Sequence, residues 1–128
     1  MLLSKSCGYA LKLLGSISST TQFTKIHDIS DKLELPYTSL AIIVQKLHKA
    51  KFIRSKKGKH GGICLARPPK QIMLIEVIES IDGDHLELCC LHHEKCDSSD
   101  PCILHSEIGV YKMKIIDLYK TTSIAQIN

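Results

Sequence analysis

Apolar residues recur at helical spacing in three successive stretches of the N-terminal half, and the first and third carry boundary signals of their own. Ala10, Leu13, Leu14 and Ile17 follow the i, i+3, i+4, i+7 rule behind Ser4, a residue type that caps helix N-termini. The polar run Ser18-Ser19-Thr20-Thr21 ends that helix. A second, shorter helix is predicted from about Ile26 to Glu34, with Ile26, Ile29 and Leu33 inward. Pro36 is barred from a helix interior but suits its first position, so the chain turns near Leu35 and restarts at Pro36. The restarted helix runs to about Ala50 and buries Leu40, Ile43, Val44 and Leu47. Thr38, Ile42, Gln45 and Lys49 then lie on its opposite face, flanked by Ala41 and Lys46. A short helix, a tight turn and a second helix with a polar, basic outer face predict a helix-turn-helix.

The periodicity then changes. Phe52-Ile53-Arg54-Ser55 and Ile63-Cys64-Leu65-Ala66 read as two short strands joined by Lys56-Lys57-Gly58-Lys59-His60-Gly61-Gly62. This is a β-hairpin with a basic, glycine-rich tip, in other words a wing. The expected fold class is mainly α with a small β-hairpin wing. At such a tip, glycines let backbone N–H groups approach a phosphate, and Lys56, Lys57 and Lys59 supply charge beside His60 and Gly61. Phosphate contacts of this kind give affinity that is independent of sequence and weakens with salt. Base reading falls to the outer face of the 36–50 helix. Gln45 suits adenine, Thr38 and Ile42 suit thymine methyls, and Lys49 reaches a phosphate or guanine.

Charge sharpens this reading. The net charge of +4 over 128 residues is modest, but Lys46 to Lys59 holds seven Lys/Arg and no acid, whereas acids collect between Glu76 and Asp100. An anionic partner belongs at the basic stretch. No apolar run reaches the roughly 18–20 residues of a membrane span, and no signal-peptide pattern opens the chain, so a cytoplasmic location and no membrane partner are expected. Of six cysteines, at 7, 64, 89, 90, 96 and 102, four crowd into one short stretch. In a reducing compartment, clustered thiols point to metal or redox chemistry rather than disulfides. No glycine-rich nucleotide loop or paired acid/base motif is present, which argues against an enzyme and a small-molecule substrate.

Tyr9-Ala10-Leu11, Ile29-Ser30, the run Gly58-Lys-His-Gly-Gly-Ile-Cys-Leu-Ala-Arg67-Pro68, and Glu76-Val77-Ile78 through Asp82-Gly83 together resemble the IscR/NsrR regulators of the Rrf-two family. The similarity covers nearly the whole chain in order, and the Gly-Gly-x-x-Leu-Ala-Arg wing motif is its most specific part. The resemblance implies a sequence-specific transcription regulator. Its homodimer would place two winged helices on a roughly palindromic double-stranded DNA operator. The implied organisation is a DNA-binding domain over 1–84, a cysteine-rich cluster-binding loop over 85–102, and a dimerisation helix with a C-terminal tail over 103–128. The last of these has independent support. Leu104, Ile108, Tyr111, Ile115 and Leu118 recur at 4-3-4-3 spacing, with Ile116 and Tyr119 widening the seam.

Cys90, Cys96 and Cys102 are spaced Cys-x5-Cys-x5-Cys, and His105 follows three residues after the last. Soft thiolates with one imidazole suit an iron–sulfur cluster, and zinc would accept the same four donors in a tetrahedral site. The resemblance implies a cluster. IscR-like members also place a histidine three residues after the third cysteine, which implies [2Fe-2S] on Cys90, Cys96, Cys102 and His105. NsrR-like members use the three cysteines for [4Fe-4S], with an acid from the partner subunit's N-terminal region; the matching position here is Gly8. Cys7 beside it, and Cys64 in the wing strand, read as buried thiols. Cys89 offers an alternative register, His92 and His93 are further potential ligands, and Ala41 replaces a glutamate that in IscR helps select operators. The expected signal is iron–sulfur status, nitric oxide or redox state, relayed when the loop reshapes and changes the separation of the recognition helices. A zinc-bound DNA-binding protein and a clusterless thiol-switch repressor stay open as alternatives.

Overall fold

The computed structural model describes residues 3–83, 99 and 102–127. Among the described residues seven elements carry the architecture: α1 (Lys5–Ser16), α2 (Ile26–Leu33), α3 (Tyr37–Lys49), β1 (Ile53–Lys56), β2 (Gly62–Leu65), α4 (Leu74–Asp82) and α5 (Ile103–Thr121). Two short 3-10 turns accompany them among the same residues: Pro69–Gln71 precedes α4 and Ile124–Gln126 follows α5.

The first helix begins as its sequence dictates. The Ser4 hydroxyl accepts the Cys7 backbone N–H at 3.0 Å, satisfying one of the amides that the first turn leaves unpaired. The turn between α2 and α3 has no glycine to signal it. Glu34 adopts the left-handed region at φ 53, and buried Ser30 holds the turn by donating its hydroxyl to Leu35 O at 2.6 Å. Pro36 stands one step earlier than its propensity suggested: it caps α3 at φ −61 rather than opening it, and its carbonyl accepts the Leu40 N–H at 3.1 Å.

Helix α3 buries Leu40, Ile43, Val44 and Leu47, as the spacing predicts. They join Leu13 and Leu14 of α1, Ile63 and Leu65 of β2, and Val77 and Ile78 of α4 in one core. Each such side chain contributes roughly 1.5–3 kcal/mol on leaving water. After α3 the chain reverses tightly, with Lys51 at φ 64 and the Phe52 N–H donating to Leu47 O at 3.0 Å. Phe52 is therefore spent on the turn, and the strands run one residue out of step with the sequence reading. β1 and β2 pair antiparallel with Ile53 opposite Leu65 and Lys56 opposite Gly62. Thr24 adds a third short rung, exchanging two 2.8 Å backbone hydrogen bonds with Ile63.

Arg67, just past the wing, pairs with Glu76 of α4 at 2.9 Å. Burial works against the Glu76 charge, but the Met73 N–H and the Arg67 guanidinium together hold its carboxyl below the usual range. The C-terminal residues return to the same core. Tyr119 and Ile124 are buried, the Leu74 N–H donates to Thr122 O, and the Ile124 N–H donates to Ile72 O, both at 2.9 Å. Part of the α5 seam thus faces its own domain: Tyr119 lies in the core and Ile115 packs against it.

Candidate nucleic-acid interface and thiolate site

The outer face of α3 is open. Thr38, Gln45, Lys46 and Lys49 are exposed, Ala41 is half-buried, and Ile42 is 59% exposed, an apolar side chain left in solvent on the recognition face. Tyr37, at the helix start, stacks on His27 of α2 with ring centroids 4.0 Å apart, so the two helices are joined at their exposed corner.

In the wing, Lys56, Lys57, Lys59 and His60 are exposed. Gly61 is different. It is buried, its N–H donates to Gly58 O at 3.0 Å, and a Cβ there would lie 2.1 Å from Lys56 O. Its amide closes the tip of the hairpin and is not free for a phosphate, so absence of a side chain is what the position requires. Gly62, at φ +142, would place a Cβ 2.3 Å from Thr24 O, and only glycine admits the third rung there.

Phe23 enters this face from the α1–α2 connection. Arg54 and Lys56 of β1 each lie 5.9 Å from its ring centroid, and the Arg54 guanidinium also donates to Thr20 O. The cations of β1 are thereby braced against the α1–α2 connection. An aromatic residue one position before a strand-like Thr24 was the available signal.

The thiols divide by burial. Cys7 and Cys64 are wholly buried, as read from the sequence, and the Cys64 thiol points to Thr20 O at 3.5 Å. Burial, the Asp82 charge and a hydrogen bond to Asp82 push the Cys7 thiol up to about 12, so it stays protonated and inert at neutral pH. Gly8 supplies no donor, and a Cβ at that position would stand in open space. Cys102 is exposed at the N-cap of α5, and its thiol makes no capping hydrogen bond. His105, also exposed, donates its backbone N–H to Cys102 O at 3.0 Å, one turn along. Cys90 and Cys96, like Cys89, His92 and His93, lie outside the described residues. Among the described residues no three His, Cys, Asp or Glu side chains gather as a metal site.

The sequence profile of the Rrf2 family, described as an iron-dependent transcriptional regulator, matches residues 3–128. The chain belongs to the Rrf2 family. Among its Rrf2-type relatives, an HTH-type transcriptional regulator of Aquifex aeolicus is 31% identical over 128 residues, 97% of this chain and 89% of that protein. The regulator NsrR of Halalkalibacterium halodurans is 30% identical over 134 residues, 93% and 86% of the two chains. The fold is also that of solved Rrf2-type structures. CymR of B. subtilis superposes with a TM-score of 0.83 at 18% identity, covering 99% of this chain and 95% of its own. T. potens IscR does so with 0.79 at 19%, covering 99% and 85%. This Rrf2 protein is accordingly a transcriptional regulator, and its relatives are regulators rather than enzymes. No helix among the described residues is long and apolar enough to cross a membrane.

Proposed function

We infer that this Rrf2 protein is a cytoplasmic, homodimeric regulator that reads a DNA operator with the outer face of α3 and grips phosphates with its wing. The observation that carries this reading is the exposure of Thr38, Ile42, Gln45, Lys46 and Lys49 on a helix whose other face is wholly committed to the core. Lys56, Lys57, Lys59 and His60 add the charge that phosphate contacts need. The inferred second copy packs against α5, where Val110, Tyr111 and Leu118 are each more than half exposed.

The donor set suits a thiolate-ligated cluster. Cys102 and His105 are accessible one turn apart at the start of α5, and Cys90 and Cys96 would complete three thiolates and one imidazole. Such a [2Fe-2S] group supplies a redox-active centre sensitive to oxidants and nitric oxide. Because Cys7 is buried and protonated and Gly8 has no side chain, His105 is the favoured fourth ligand. The ligating residues connect α4, packed in the DNA-binding core, with α5, so their constraint sets how two recognition helices are spaced.

Anaerobic purification followed by iron, sulfide and zinc analysis tests the cofactor. Iron and sulfide near stoichiometry with a visible absorption band, lost in Cys96→Ala, are expected. Colourless protein with one zinc, or with no metal, would overturn the cluster reading and leave the DNA-binding one standing.

A further inference from the structure

A hollow of about 240 Å³ lies between the first turns of α1 and the outer face of α3, lined chiefly by Lys5, Ser6, Tyr9, Ser39, Ile42 and Lys46. Its character is basic: the two lysines come from different helices and no Asp or Glu lines it. Lys5 Nζ sits 5.8 Å from the Tyr9 ring centroid, which steers that ammonium along the hollow's wall. The hydroxyls of Ser6 and Ser39 make no hydrogen bond among the described residues, and Lys5 and Lys46 form no ion pair there. The hollow thus offers donors that the fold itself does not use. It is also continuous with the recognition face, since Ile42 and Lys46 belong to both.

We propose that this hollow is a third DNA contact, a cradle for a backbone phosphate flanking the segment read by α3. Lys5 and Lys46 supply the charge, and the serine hydroxyls donate to phosphate oxygens. The inference rests on the DNA-binding reading above and extends it to α1, which nothing in the charge pattern along the sequence had marked. Lys5 stands far from the basic stretch of 46–59, and only the packing of α1 on α3 brings it beside Lys46. A phosphate contact fixes register on the duplex without choosing bases, so its loss weakens all sequences alike.

The test is fluorescence anisotropy of the full chain with a labelled mixed-sequence duplex of about 30 base pairs. Wild type, Lys5→Ala and Lys57→Ala are titrated over a range of salt. Lys5 is exposed and alanine is a good helix former, so the fold survives, as a circular-dichroism melt verifies. Lys5→Ala is expected to weaken binding roughly five- to tenfold at 0.1 M salt and to lower the slope of log K against log salt by about one. Ser39→Asp, which places a carboxylate in the hollow, is expected to weaken it as well. Lys57→Ala losing affinity while Lys5→Ala and Ser39→Asp keep wild-type affinity and slope overturns this proposal and spares the wing. Failure of all three to change binding overturns both.

Discussion

The Ser4 backbone N–H donates to Asp82 Oδ2 at 3.2 Å while the Ser4 hydroxyl donates to Oδ1, tying the N-cap of α1 to the last residue of α4. The same hydroxyl oxygen accepts the Cys7 N–H, so one carboxylate orients the cap of the first helix. Asp82→Ala removes both acceptors and leaves a part-buried donor pair unmatched. A loss of about 1–3 kcal/mol in urea denaturation is expected, with a smaller loss for Asp82→Asn, which retains one acceptor.

Cys7 makes this junction sensitive to alkali. Burial first, then the charge and hydrogen bond of Asp82, raise its thiol from 9.0 to about 12 in the folded chain. A group whose folded value is raised stabilises fully below its unfolded value, and that stability is lost as pH climbs from 9.0 towards 12. Burial, and then the nearby Cys7, push the Tyr119 hydroxyl up as well, with the same sign. Urea midpoints measured against pH are expected to fall across this window in wild type and to fall less in Cys7→Ala. Equal slopes in the two proteins would remove Cys7 from the account.

The sequence announced elements whose signals are local. Ser4 and the apolar stripe from Leu40 to Leu47 each state their role within a few residues, whereas Gly61, read as a phosphate contact, closes the hairpin tip, and Gly62 admits the distant Thr24. What stayed hidden depends on turn geometry that residue type does not signal, or on residues far apart in the chain. Glu34 and Lys51 take positive φ without being glycine because Ser30 and Leu47 close the turns around them. Phe52 looked like strand and is turn, since its N–H is claimed by the end of α3. The rung at Thr24, the bracing of Arg54 and Lys56 on Phe23, and the return of Ile124 to the core are long-range pairings that no periodicity encodes. Of the four proposed cluster ligands, all marked by their spacing, the structure describes Cys102 and His105.

Glycine positions separate by what surrounds them. Gly61→Ala and Gly62→Ala force a Cβ to within 2.1 and 2.3 Å of backbone oxygens and are expected to destabilise by well over about 1 kcal/mol. Gly8→Ala meets no atom within 4 Å inside a helix and is expected to stabilise by roughly 0.5–1 kcal/mol. Thermal melts of the three variants check the contrast.

Tyr111 and Leu118 of α5 are 64% and 57% exposed, yet they lie on the heptad-like seam read from the sequence. The double substitution Tyr111→Asp with Leu118→Asp is expected to leave the helical spectrum intact and to convert a dimer into monomers in sedimentation velocity. A wild-type monomer at micromolar concentration, or an unaltered dimer in the variant, would place the partner surface elsewhere.

The most direct measurement of the DNA-reading account is selection of bound duplexes from a random pool by wild type and by Gln45→Ala. An inverted repeat is expected whose half-sites lie about one helical turn, or a multiple of it, apart, with preference relaxed at one position per half-site in Gln45→Ala. Recovery of no preferred sequence by the wild type, or an identical preference in both proteins, would contradict the assignment of base reading to the outer face of α3.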